Sequence, residues 1–216
     1  MTTSQFVEAL AQAPGLPNLF NPFRHICPVH DSPESPTIRR NNLQKYLDAH
    51  LRLQSKELWI AEAPSQRGSR RTGVYFVPEP KLETMANRLQ VKALKKATHT
   101  PEQAPTATRQ FWQVFDELEH LPVTYNALPF HPHHNGYALV NRTPTKRELV
   151  QHLPYLEMLL ELFQPERILV LGRKAEYACA KLGIPTTYVR HPSQGGQKAF
   201  LEKTATIYGL QMASVS

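Results

Sequence analysis

Residues 167–172 read RILVLG, and the fold turns on how that run is taken. Ile168, Leu169, Val170 and Leu171 follow one another with no polar residue between them. A strand with one wet face alternates apolar and polar side chains. A strand buried on both faces does not, and burial on both faces is the condition of a parallel sheet covered by helices. Gly172 closes the run, and KAEYACAKLG (174–183) follows as a helix with Gly183 at its C-terminal cap and Pro185 beyond it. TTYVR (186–190) then reads as a further strand, and a last helix is predicted over about KAFLEKTATIYG (198–209).

The same alternation extends toward the N-terminus. ELWIAEAP (57–64) is a short apolar strand ended by Pro64, which has no N–H for a ladder, and VTYNALPF (123–130) is another strand. RRNNLQKYLDAHLRLQ (39–54) places Leu43, Tyr46, Leu47 and Leu51 at helical spacing, and TRQFWQVFDELEHL (108–121) does so with Phe111, Val114, Phe115 and Leu118. Thr145 and Glu148 form a capping box at the start of one helix that turns Leu149, Leu153, Leu156, Leu160 and Phe163 inward. Strands separated by helices predict a three-layer α/β/α sandwich around a central, mainly parallel four-stranded sheet. In such sheets ligands bind beyond the carboxyl ends of the strands, where this chain carries Glu62-Ala63-Pro64, Asn126, Gly172 and His191.

The chain of 216 residues is expected to form a single domain over 1–216, with a proline-broken N-terminal segment and an exposed polar loop at about 92–109. Lys and Arg number 25 against 18 Asp and Glu, and the difference, 25 − 18 = +7, favours a polyanionic partner. Two cysteines outside any CxxC pair argue against a disulfide framework and point to a reducing compartment. The N-terminus lacks the pattern of a signal peptide and no stretch reaches membrane-spanning length, so a cytoplasmic monomer without a membrane partner is expected. HICPVH (25–30) and HPHH (131–134) gather histidines, but their spacing fits no standard zinc pattern and no metal site is predicted. The first reads as a surface turn and the second as a loop beside Asn126.

Four stretches in order, AEAPS (61–65), YNALPFHPH (125–133) with NRTPTKREL (141–149), RILVLGRKA (167–175) and RHPS (190–193), resemble the motifs of the uracil-DNA glycosylase superfamily. The resemblance runs from about Asn21 to Gly209. AEAPS is similar to the Gly-Glu-Ala-Pro-Gly motif of the iron–sulfur branch, with Ala61 and Ser65 in place of its glycines. Closer still is a bacterial group whose first motif continues through Arg-Gly into Thr-Gly-x-x-Phe, here QRGSRRTGVYF (66–76). The four cluster cysteines of the iron–sulfur branch are absent, so no cluster and no other cofactor is expected, and ordinary packing must hold the N-terminal region.

The resemblance implies a monofunctional DNA glycosylase of base excision repair. Such an enzyme flips uracil, or another deaminated base, out of the stack and hydrolyses its N-glycosidic bond, leaving an abasic site. It assigns Phe76 to stacking on the flipped base and Asn126 to reading its edge, with Ala63, Pro64, Ser65 and His131 lining the pocket. His191 is assigned to stabilising the charge that grows on the departing base. Glu62 either orients the attacking water or accepts from a loop N–H, and Ala63 stands where the fastest members carry an aspartate. Ser193, Gly195, Gly196, Lys198, Arg67, Arg70 and Arg71 are expected at the DNA backbone, and Gln194 or Gln197 in the gap left by the flipped nucleotide. The competing reading is a non-catalytic binder of damaged or single-stranded DNA. A nucleotide hydrolase is disfavoured, since the chain has neither a P-loop nor a carboxylate cluster to hold magnesium.

Overall fold

The computed structural model describes residues 1–211, so 212–216, the end of the expected 1–216 domain, lie outside the described residues. The N-terminal segment opens with helix α1 (Thr3–Gln12), started by a capping box between Thr2 and Gln5. Strand β1 (Leu19–Phe20) follows, then α2 (Ser35–Arg52), with Pro36 in its first turn where a missing N–H leaves no bond unmade. Next come β2 (Glu57–Ala61), the short α3 (Ser69–Thr72), α4 (Leu82–Arg88), α5 (Thr108–Glu117) and β3 (Val123–Asn126). A hairpin of β4 (His131–His134) and β5 (Tyr137–Asn141) leads into α6 (Lys146–Gln151) and α7 (Leu153–Phe163). The chain closes with β6 (Arg167–Leu171), α8 (Arg173–Lys181), β7 (Thr187–Val189) and α9 (Gln197–Tyr208).

The central sheet has four strands in the order β3-β2-β6-β7, and every pair is parallel. Helices cover both of its faces. Trp59 of β2 packs against Phe115 of α5 and against Phe200 and Tyr208 of α9. Its neighbour Ile60 points the other way and pairs in register with Tyr125, whose ring meets Phe6 of α1. The uninterrupted apolar run that identified β6 is thus the direct signature of a strand with no wet face. Among the described residues no helix is long and apolar enough to cross a membrane.

Several local expectations are corrected. The helix expected to run through Leu149 and Phe163 breaks at His152 into α6 and α7, because Pro154 cannot donate an intrahelical bond and starts a new first turn. After the break Leu159 is buried, while Leu160 is only partly so. On α2 the core-facing stripe takes in His50 and leaves Leu51 exposed. The HPHH loop is instead β4, paired with β5 across an Asn135-Gly136 turn in which Gly136 takes φ +74°. That dipeptide is the usual hairpin signal, and it was masked by the lack of apolar alternation before it.

The larger correction concerns charge. HICPVH is not a plain surface turn: Cys27 and His30 are buried, since Asp31 forms a buried ion pair with Arg39 and accepts the Cys27 N–H at 2.8 Å. Arg71, expected at DNA phosphates, is 1 % exposed and pairs with Glu79 at 2.6 Å. Its Nη2 donates among Thr98 Oγ1 at 2.8 Å, Thr100 Oγ1 at 2.9 Å and the Pro101 carbonyl at 3.0 Å. The 92–109 stretch is therefore only partly exposed: Leu94, Ala97 and Thr98 are buried, and Thr98 bridges Asp31.

Removing one partner of a buried pair strands the other charge. Glu79→Ala is expected to lower unfolding stability by about 3–5 kcal/mol, read from the urea midpoint. Glu202→Ala, whose pair with Lys198 at 3.8 Å is exposed, should change it by less than about 1 kcal/mol.

Candidate active site

Parallel pairing in register brings the carboxyl ends of the strands to one edge of the sheet. Ala61 lies opposite Asn126 and Leu171 opposite Val189. Two further bonds carry the pairing past the strand ends: Ala127 N–H donates to the Ala61 carbonyl at 2.9 Å and Leu128 N–H to that of Glu62 at 3.0 Å. The residues that follow these ends surround a cavity of about 640 Å³. Glu62, Ala63, Pro64 and Ser65 line it after β2, and Asn126 does so at the end of β3. His191 and Ser193 line it after β7, and Phe76 comes from the loop after α3.

His191 is held in one protonation state by its own loop. Pro192 has no N–H, so the first backbone donor after the histidine is Ser193, and this N–H turns back to His191 Nδ1 at 3.1 Å. Ser193 Oγ lies 2.8 Å from the same nitrogen. A backbone N–H only donates, so Nδ1 holds the lone pair and the neutral ring carries its proton on Nε2. Burial lowers the pKa to about 4, which keeps the ring neutral at physiological pH.

Phe76 occupies the left-handed region at φ +62°, a conformation that costs a side-chain-bearing residue on the order of 1 kcal/mol. Flanking bonds hold it there, with Thr72 Oγ1 donating to the Val77 carbonyl at 2.7 Å. The ring stacks on Phe111 with centroids 4.8 Å apart and planes 24° apart, and Phe111 in turn presents its face or edge to His191 at 5.5 Å. Sequence reasoning placed Phe111 only in the core stripe of α5. Its reach into the cavity depends on how α5 docks, and no local pattern encodes that.

Asn126 lines the cavity while only 2 % exposed. Glu62 is partly buried, and burial raises its carboxyl above the ordinary 4.5 against the opposing charge of Lys174. Asn141, which no local pattern in the sequence marks, also lines the cavity. Its orientation follows from a polarity chain. Arg70 Nη1 lies 2.8 Å from His131 Nδ1; a guanidinium only donates, so His131 carries its proton on Nε2 and donates it to Asn141 Oδ1 at 2.8 Å. Gln66 N–H donates to the same oxygen at 2.8 Å. The polar group left to Asn141 is its NH₂, a pure donor.

His131 and Arg70 therefore depart from their expected places. His131 is fully buried behind Asn141 rather than lining the cavity, and burial beside Arg70 lowers its pKa to about 3. Arg70 is 3 % exposed, donates to the Ala138 carbonyl and covers the Phe20 ring at 3.9 Å, so it cannot meet a phosphate from there. Gly196 is buried too, with its N–H bonded to the Ser193 carbonyl at 3.1 Å. A Cβ there would fall 2.0 Å from the His191 carbonyl, so close packing rather than a phosphate explains that glycine. Arg67, Gly195 and Lys198 are exposed.

Among the described residues no group of three or more His, Cys, Asp and Glu side chains is placed to hold a metal. His25 accepts the Asn21 N–H at 3.1 Å and His30 bonds Thr100 Oγ1 at 3.0 Å. Cys27 and Cys179, both buried, fall short of the four thiolates a cluster requires, and helix α1 packs into the core through Phe6, Val7 and Leu10. The family described as the Uracil DNA glycosylase superfamily matches residues 49–208. None of the curated proteins matches the chain.

The His191 tautomer is directly observable. Nitrogen-15 NMR of the imidazole should show Nδ1 unprotonated and Nε2 protonated from pH 6 to 8, with the ring titrating near 4 rather than 6.5. In Gly196→Ala, which must push the loop off the His191 carbonyl, the bond to Ser193 is lost and the Nδ1 and Nε2 tautomers become mixed.

Proposed function

Because the chain belongs to the uracil-DNA glycosylase superfamily, which supports a DNA glycosylase-type activity, we propose that it excises uracil from DNA by hydrolysis, without a covalent protein–DNA intermediate. The observation that carries this reading is a neutral imidazole with its proton on Nε2, set in one cavity with an aromatic ring and an asparagine amide.

A base inside a duplex must first leave the stack. Phe76 offers the extruded base a ring face, a contact of about 1–3 kcal/mol. Asn126 presents both a donor and an acceptor, and a base whose edge does not match leaves buried groups unpaired at about 1–3 kcal/mol each. Ser65 is small, so other deaminated bases fit the same reading.

Cleavage breaks the bond between sugar C1′ and base N1, and the electron pair leaves with the base, spreading onto N1 and O2. His191 Nε2–H donates a hydrogen bond to O2 as that charge grows, an interaction stronger in the transition state than in the ground state. Water then adds at C1′ and gives its proton to the Glu62 carboxylate, and the released base anion takes a proton from solvent. Because departure precedes capture, the absence of a carboxylate at Ala63 slows the reaction without abolishing it. Gly195, Lys198 and Arg67 are exposed and free to donate to DNA phosphates, a grip that weakens as salt rises, whereas the Ser193 N–H and Oγ are engaged by His191.

An oligonucleotide carrying one uracil, incubated with the protein and then treated with alkali, should be cut at that position. His191→Ala should lower the excision rate about 100-fold or more while retaining DNA binding. Binding by the wild-type protein without cleavage would instead establish the non-catalytic reading that Ala63 permits.

The pH profile separates the two titrating groups. Glu62 acts as the carboxylate, so kcat/KM should fall as pH drops through its raised pKa, above 4.5. His191, already neutral above about 4, should add no limb near 6.5. Glu62→Gln should run at least about tenfold slower at neutral pH and lose that acid limb; a limb that persists in the variant removes Glu62 from the role.

A further inference from the structure

Tyr137 is 68 % exposed at the tip of the β4–β5 hairpin, with Val140 49 % exposed on the same strand. The hairpin is braced rather than loose. Arg70 holds the Ala138 carbonyl from within, and Arg142 at its base donates to the His133 carbonyl at 2.9 Å and pairs with Glu148. The ring is thus held out in water on a braced support, with Val140 exposed on the same strand.

The base of the hairpin lies at the cavity. Asn141, Arg142 and Thr143, which complete the hairpin, line the cavity wall. The register pairs His133 with Asn141 but His134 with Tyr137, so a bulge takes up the residues between them. His134, the partner of Tyr137, is thus the chain neighbour of His133, the partner of Asn141. From His131 through Arg142 the chain has no Asp or Glu, so nothing on the arm repels phosphate.

A flipped nucleotide leaves a gap in the stack, and the neighbouring bases close over it unless a side chain fills the space. The residues expected there, Gln194 and Gln197, suit the task poorly. Gln194 lines the cavity and Gln197 begins α9, but a polar amide gains little from lying between bases. We propose that the β4–β5 hairpin is a duplex-reading arm, and that Tyr137 enters the stack beside the flipped nucleotide and fills the gap. The inference rests on the glycosylase reading of the cavity and adds to it the surface that engages paired DNA.

The test compares single-stranded and double-stranded oligonucleotides carrying the same uracil. Tyr137 is exposed and outside the cavity, so Tyr137→Ala should melt within about 2 °C of the wild type. It should excise uracil from the single strand within twofold of the wild-type rate, and from the duplex about tenfold more slowly. Tyr137→Phe should restore the duplex rate. An unchanged ratio of duplex to single-strand rates, or an equal loss on both, overturns the proposal, and an unchanged ratio leaves the hairpin as a protein-docking surface. Wild-type activity on the single strand tests the cavity separately. Should the wild type excise neither substrate, the arm is read by binding to a duplex with a tetrahydrofuran abasic analogue. A tenfold weaker Kd for Tyr137→Ala on that duplex alone supports it, and equal affinity refutes it.

Discussion

Everything chemical in this protein depends on the parallel, in-register pairing of β2 with β3 and β6, and of β6 with β7. Parallel strands all end at the same edge, so residues far apart in the chain, such as Ala61, Asn126, Leu171 and Val189, finish side by side. The sheet interior is closely packed, with Trp59 locked among Phe115, Phe200 and Tyr208. A side chain one or two positions beyond a strand inherits that rigidity. This is the property a site needs when small displacements of the reacting groups are costly.

Around this frame the loops are fixed largely by buried arginines. Arg39 ties the turn before α2 to Asp31, Arg71 ties the 98–101 segment to Glu79, and Arg70 ties the hairpin and His131 to the loop after β2. A guanidinium suits this work because it offers several donors in a fixed plane and does not lose its charge. The consequence for recognition is that much of the basic character of QRGSRRTG (66–73) is spent inside the molecule. Arg67 is the member of that run left at the surface.

Two histidines show how a neighbour chooses the chemistry of an imidazole. His191 accepts from a backbone N–H and His131 accepts from a guanidinium, both at Nδ1. Each is therefore a donor at Nε2, and burial holds each neutral. One belongs to a residue that lines the cavity and the other fixes the amide of Asn141. The Pro-Ser sequence after His191 and the close packing of Gly196 on its carbonyl are parts of the same device.

Sequence alone determined the layered architecture and the residues at the strand ends. Uninterrupted apolar runs, helical spacing and caps are local consequences of burial and backbone hydrogen bonding, and each is written in a few consecutive residues. Glu62, Asn126 and His191 were legible for the same reason, since a polar residue directly after a buried strand has few places to go. Tertiary structure decided the fate of Arg70, Arg71 and His131, and the participation of Phe111 and Asn141. A charge is surface or interior according to whether a counter-charge or acceptor from elsewhere in the chain reaches it. Glu79 and the Ala138 carbonyl do so only once α3, the following loop and the hairpin have packed. Burial of a pair is a property of distances through space, and a single sequence lists its residues along only one dimension.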